Sequence, residues 1–190
     1  MKKSIILTAL IFMATASGAV RAAEFNQLQT DKSTVSFVFK QMNVPVEGQF
    51  KRFKGQLGFD PAKPTAARAE LEIELTSIDA GSPEANDEVA GKLWFNTKAF
   101  PVARFVVASI KPLGNNRFDV AGKMSIKGKT QDVSAPVTFR QEGTQGVFEG
   151  GFALKRADYA IGEGIWADFG TVANEVQIKF RLVAAAAGKK

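Results

Sequence analysis

Residues 66–75 read AARAELEIEL, and this stretch decides the fold. Its apolar residues occupy every second position, and the residues between them are arginine or glutamate. Alanine, leucine and glutamate favour helices, but a helix would spread these charges around its whole circumference. The alternation instead predicts a β-strand with one apolar face and one charged face. The apolar positions are Ala67, Ala69, Leu71, Ile73 and Leu75.

The same alternation recurs along nearly the whole chain after residue 24. TVSFVFKQ (34–41), RFVVAS (104–109) and NEVQIKFRLV (174–183) are examples. Clusters of Gly, Pro, Asn and Asp separate the segments, so we expect one all-β domain of about eight antiparallel strands. Either a sandwich or a closed barrel would bury the apolar faces, and a barrel also removes the exposed edges. Most strands are shorter than the roughly ten residues that an outer-membrane barrel needs.

One segment interrupts the strands, and a second is rich in glycine. Residues 82–93 predict a short helix, with Ser82 as its N-cap and Pro83 at its first position. Trp94, Phe95 and Phe100 follow this helix. We interpret the segment 82–100 as one lip of a barrel mouth that controls access, although a plain plug would have the same pattern. The second lip is the segment 162–174, which contains Trp166 and Phe169.

Two residue types that are common in catalytic sites are absent. The chain has no histidine and no cysteine. Ser-His-Asp triads, cysteine nucleophiles, zinc sites of the usual type and His-ligated haem are therefore excluded. Carboxylate chemistry stays open, but nothing in the spacing pairs its candidates, so we expect no catalysis, no metal and no cofactor. Those candidates are Glu84, Asp87, Glu88, Asp158 and Asp168.

The N-terminus predicts a cleaved signal peptide over residues 1–22. A charged start precedes an apolar run, 5–16, that is too short for a bilayer span, and small residues follow. We place the cut after Ala22, with Ala19 and Ala23 as alternatives, and expect a periplasmic or otherwise secreted protein. Three of the 25 basic residues leave with this peptide, which halves the formal net charge of +6.

The remaining chain predicts a single domain over residues 23–184, followed by a flexible tail, 185–190. Its basic residues are scattered and form no stripe, so nucleic acid is not an expected partner. The cluster around Lys51 still allows transient contact with a membrane surface. The sequence leaves open whether the protein is a monomer or a homodimer.

Four segments resemble the YceI-like family in the right order. STVSFVFKQMNVPVEGQFKRFKGQLGFDP (33–61) places Gly48, Phe50, Phe53 and Gly55 in a Gly-x-Phe-x-x-Phe-x-Gly pattern. LTSIDAGSPEANDEVAGKLWFNTKAFPVARFVVASI, residues 75–110, is similar to the central signature of the family, in which a helix leads to an aromatic residue, Phe-Pro and a strand.

The other two matching segments depart slightly from the pattern. VAGKMSIKGKTQDVSAPVTF (120–139) resembles a Gly-x-Leu-x-Ile-x-Gly-x-Thr hairpin, with Met124 in place of the usual Leu. LKRADYAIGEGIWADFGTVANEVQIKFRL (154–182) resembles the closing segment, with Tyr159-Ala160 where Phe-Gly is common. The resemblance implies a lipocalin-like periplasmic β-barrel that binds polyisoprenoids and similar lipids.

The expected ligand is a long-chain isoprenoid or acyl lipid such as a polyprenol, a quinone or a fatty amide. Its apolar part would lie inside the barrel, and its polar head would lie at the mouth near Lys92, Lys98, Arg104 or Arg156. The alternative is a stress-induced periplasmic interaction module whose lipid is incidental. The predicted ligand-binding residues are Phe37, Phe39, Leu71, Ile73, Trp94, Phe95, Phe105, Val107, Phe118, Val120, Phe152, Trp166, Val176, Ile178 and Phe180.

Overall fold

The computed structural model describes residues 24–186. The predicted signal peptide and the last four residues lie outside this range. The described chain is mostly β-structure with one α-helix, α1 (Pro83–Ala90), so the predicted all-β class with a short helical insert is confirmed. It has eleven strands rather than about eight: β1 (Phe25–Leu28), β2 (Thr34–Gln41), β3 (Val44–Phe50), β4 (Phe53–Gly58), β5 (Arg68–Glu74), β6 (Ile78–Asp79), β7 (Val102–Gly114), β8 (Arg117–Ile126), β9 (Lys129–Glu142), β10 (Gln145–Lys155) and β11 (Glu175–Ala186).

All strands belong to one antiparallel sheet. Its order is β4-β5-β7-β8-β9-β10-β11-β2-β3-β6, and β1 pairs with β11 beside β2. β1 also closes the sheet on itself, because Phe25 and Phe59 exchange two backbone hydrogen bonds of 2.9 and 3.0 Å just beyond β4. The sheet is therefore a barrel, and β1, β4, β5 and β7 to β11 form a ring at this end.

The charged residues of the stretch 66–75 lie on the outside of the barrel. Glu72 of β5 is paired with Lys54 at 3.0 Å, and Glu74 is paired with Arg52 at 2.7 Å. On the opposite face Leu71 lies beside Phe105 of β7, and Ile73 is buried. Propensity favoured a helix here, but burial of one apolar face decides the structure.

The two ends of the barrel differ. One end is closed by packed phenylalanine rings, with centroid distances of 4.8 Å from Phe59 to Phe139 and 5.1 Å from Phe59 to Phe148. Phe25 and Phe118 complete this cluster, which we call the floor. The opposite end carries α1 together with the segments 91–101 and 156–174, which we call the cap.

Helix α1 starts as the sequence predicts. The Ser82 side chain accepts a hydrogen bond from the Ala85 backbone N–H at 3.2 Å, and Pro83 occupies the first turn. Asn86 anchors the helix to the chain before it, because its Oδ1 accepts a 2.6 Å bond from the Ala80 N–H.

The final strand extends beyond the predicted end of the domain at residue 184. β11 continues to Ala186, which faces Phe25 of β1 in the sheet. The first two residues of the predicted flexible tail are therefore paired strand residues, because β1 offers them a partner.

Candidate ligand-binding site

The barrel encloses two adjoining cavities with apolar walls. One lies below the cap and the other lies above the floor. Their volumes, including the solvent space at their openings, are about 890 and 960 Å³. We call them the cap chamber and the floor chamber. Ile73 and Met124 line both chambers, and we call this shared part of the wall the waist.

The structure brings together all but one of the predicted ligand-binding residues as walls of these chambers. Whether they contact a ligand stays a prediction. The cap chamber is lined by Phe37, Phe39, Ile73, Trp94, Phe95, Val176 and Ile178. The floor chamber is lined by Leu71, Ile73, Phe105, Val107, Phe118, Val120, Phe152 and Phe180.

Trp166 lies outside both chambers and supports Trp94 from behind. The two rings are 5.5 Å apart, and the Trp166 Nε1 donates a 2.7 Å hydrogen bond to Glu88 of α1. Trp166 thus positions a wall residue rather than lining a chamber itself, and its contact with a ligand stays a prediction. Loops have no periodic pattern from which the direction of a side chain could be predicted.

Arg156 is the largest departure from the sequence prediction. We expected it at the mouth, but only 2% of it is exposed, and it lies in the wall of the cap chamber. Its guanidinium donates five hydrogen bonds of 2.7–3.1 Å, and every acceptor is a backbone carbonyl. These carbonyls belong to Ile161, Gly162, Trp166, Val172 and Ala173.

The five bonds use every N–H of the Arg156 guanidinium. Burial lowers the pKa of Arg156 from its usual value, because desolvation disfavours the charged form. The rings of Trp94 and Phe169 lie 5.6 and 5.2 Å from the guanidinium carbon. Glycine suits position 162, since its φ is +76° and a Cβ there would clash with the Arg156 Nη1. Arg156 therefore fixes the path of the cap and has no N–H left for a ligand.

The other basic residues predicted at the mouth separate into two groups. Arg104 lies on the outer face of β7, where its Nε donates a 2.8 Å bond to Glu70, so its predicted place at the mouth is wrong. The alternation along β7 explains this, because Ala103 and Phe105 face inward. Lys92 and Lys98 are exposed in the cap, as expected.

The two predicted lips are bonded to each other. The backbone N–H groups of Gly162 and Glu163 both donate to the Leu93 carbonyl at 2.8 Å. Lys127, at the turn between β8 and β9, donates to the Lys92 carbonyl at 3.0 Å and to Glu163 at 2.9 Å. The lips thus form a single cap, and the opening of this cap stays a prediction.

Two buried polar groups of the cap lack partners. Within residues 24–186 the Trp94 Nε1 and the Tyr159 hydroxyl make no hydrogen bond to protein. Burial raises the pKa of Tyr159 to about 12, so the phenol stays neutral at physiological pH.

The described residues contain no group of three carboxylates that could hold a metal ion. In the same range no helix is long and apolar enough to cross a membrane.

Comparison with known proteins identifies similar chains. The sequence model of the YceI-like domain matches residues 27–184. The crystal structure of BcnA from Burkholderia cenocepacia is similar, with 48% identity and a TM-score of 0.82, over 84% of this chain and all of that chain.

Two more distant proteins share most of their length with this chain. A UPF0312 protein of Azotobacter vinelandii is 27% identical over 186 residues, which is 94% of this chain and 95% of the relative. A polyisoprenoid binding domain from Saccharophagus degradans, implicated in plant cell wall breakdown, has a TM-score of 0.68 at 20% identity. That match covers 86% of this chain and 99% of the other.

Proposed function

The chain belongs to the YceI-like domain family, and from that premise we propose that it is a non-catalytic carrier of one long-chain apolar lipid. The observation that carries the proposal is the pair of adjoining chambers with apolar walls. A polyprenol, a long-chain quinone or a fatty amide fits such walls. The described polyisoprenoid binding domain of S. degradans supports the same ligand class. We place the carrier in the periplasm, in keeping with the leader pattern of residues 1–22.

Burial of a hydrocarbon chain supplies enough free energy for useful affinity. Each buried CH₂ contributes about 0.8 kcal/mol, so about ten of them contribute roughly 8 kcal/mol before the cost of association. A charge inside the chambers would be costly without a partner. Arg156 offers none, because its N–H groups are already bonded to carbonyls. The buried part of the ligand is therefore neutral.

We expect added lipid to raise the melting temperature of delipidated protein. A ligand that binds only the folded state at about 100 times its Kd adds about 2.7 kcal/mol of stability. For a domain of this size that corresponds to roughly 5–10 °C. In a Trp166→Phe variant Trp94 becomes the sole tryptophan, and its emission should shift in the same titration, since it lines the cap chamber.

Glucose and a nucleotide serve as controls and should leave the melting curve unchanged. If no polyprenol, quinone or fatty amide raises the melting temperature, the carrier proposal is wrong. Retention of all protein partners by lipid-free chain would then favour the interaction module.

A further inference from the structure

We propose that the cap is a membrane-docking surface, through which the protein contacts the lipid leaflet that supplies its ligand. The role of this surface in lipid uptake rests on the proposed function, whereas the membrane contact itself is argued from the geometry alone. It starts from the distribution of exposed apolar side chains. The two most exposed in the described chain are Ile165 at 81% and Met42 at 75%.

These two residues both lie at the cap end of the barrel. Met42 is bonded to the cap, because its backbone N–H donates to the Thr171 carbonyl at 2.8 Å. Ile165 follows Gly164, which packs beside Leu93. Leu93, Phe169 and Val44 are also exposed, by 39%, 50% and 62%. We call Met42, Val44, Leu93, Ile165 and Phe169 the apolar rim.

The backbone at Met42 is an independent sign that its side chain has a role. Met42 has a φ of +48° in the turn between β2 and β3. Such positions favour Gly, Asn or Asp, and a bulky side chain there is strained. Here the strain is not offset by packing, since the side chain is exposed. A conformation that costs stability at an exposed apolar residue indicates a function outside the folded chain.

The rim is continuous with the proposed ligand site. Gln41, the residue before Met42, bridges Val172, and Val172 lines the cap chamber. Leu93 directly precedes Trp94 in the chamber wall. If the acyl region of a leaflet covers the rim, it lies one residue along the chain from the chamber wall. A lipid could then move from the leaflet into the chamber with little exposure of its hydrocarbon to water.

Two lysines beside the rim suit the head groups of an anionic surface. Lys40 and Lys92 flank the rim, and within residues 24–186 neither forms a salt bridge with a carboxylate. Of the nearby carboxylates, Glu163 is paired with Lys127, whereas Asp168 keeps its negative charge while it accepts a hydrogen bond from the Gly170 backbone N–H. Helix α1 does carry exposed acidic side chains, so the apolar rim and not the net charge supplies most of the attraction.

The test is flotation of the full chain with vesicles of phosphatidylethanolamine and phosphatidylglycerol. A Met42→Asn, Ile165→Ser double variant should bind the vesicles at least roughly tenfold more weakly than the wild type, because apolar burial drives such contacts. Asparagine suits the left-handed turn position, so folding is preserved. Leu113→Ser is the matched control, since Leu113 is 48% exposed near the end of β7 beside the floor, and it should bind within about twofold of wild type.

Equal binding by the double variant and the wild type would overturn the proposal, as would an equal loss in Leu113→Ser. Analytical ultracentrifugation tests whether a second copy of the chain, and not a membrane, covers the rim. If the wild type is a dimer that binds no vesicles and the double variant is a monomer, a second copy covers the rim and the membrane proposal is wrong. Lipid-dependent melting of the double variant, with lipid supplied in detergent, tests carriage separately from docking.

Discussion

Substitution of Arg156 by alanine is expected to lower the free energy of unfolding by about 4 kcal/mol. The change leaves five backbone carbonyls without their donors in a region that water reaches poorly. Each buried carbonyl that stays unsatisfied costs about 1–3 kcal/mol, and partial hydration of the loosened cap reduces the sum. Urea unfolding monitored by tryptophan fluorescence measures the difference.

Two further variants separate the hydrogen bonds of Arg156 from its charge. Arg156→Lys keeps the charge but has three donors instead of five, so it should remain clearly destabilised. Arg104→Ala removes an exposed arginine that bonds Glu70, and it should cost less than about 1 kcal/mol. If Arg156→Ala is no more destabilising than Arg104→Ala, or if lysine restores full stability, the five-carbonyl interpretation is wrong.

Closing the waist should shorten the lipid that the barrel holds. A chain that occupies both chambers passes alongside Ile73 and Met124, which line both of them. Met124→Trp puts an indole at this position and confines the ligand to the cap chamber. If about four CH₂ groups lose their burial, the affinity for a long chain falls by about 3 kcal/mol, or roughly a hundredfold. The affinity for a chain short enough for the cap chamber should change little.

Titration of the delipidated protein with a homologous series of fatty amides measures this effect. Met124→Leu is the matched control, because leucine and methionine have similar volumes and exchange at low cost. The expected result is a break in affinity against chain length that appears in Met124→Trp and not in Met124→Leu. A uniform loss at every chain length would show that the two chambers do not hold one chain.

The alternation predicted most of the barrel because burial of one face dictates it. The alternation did not predict β1, β3 and β6, and each omission has a physical reason. β1 and β6 have four and two residues, too few to show a period. β3 reads VPVEGQF, and its proline, glycine and glutamate are disfavoured in strands. Pairing with β2 along its whole length makes it a strand nevertheless.

The walls of the candidate site could be predicted for the same reason, since a strand's inward residues follow from its period. The cap could not. The acceptors of Arg156 lie between Ile161 and Ala173, in a segment without regular periodicity, and only the folded path brings them to one guanidinium. A basic residue after a strand normally lies in solvent. The positions of Arg156 and Trp166 therefore depend on long-range structure.

Native mass spectrometry of the protein purified gently from its own host tests the carrier proposal most directly. We predict a complex of one chain with one long-chain apolar lipid, which organic extraction releases and fragmentation identifies as a polyprenol, a quinone or a fatty amide. A stoichiometric small polar metabolite in place of a lipid would contradict the proposal, and so would protein that is entirely free of ligand.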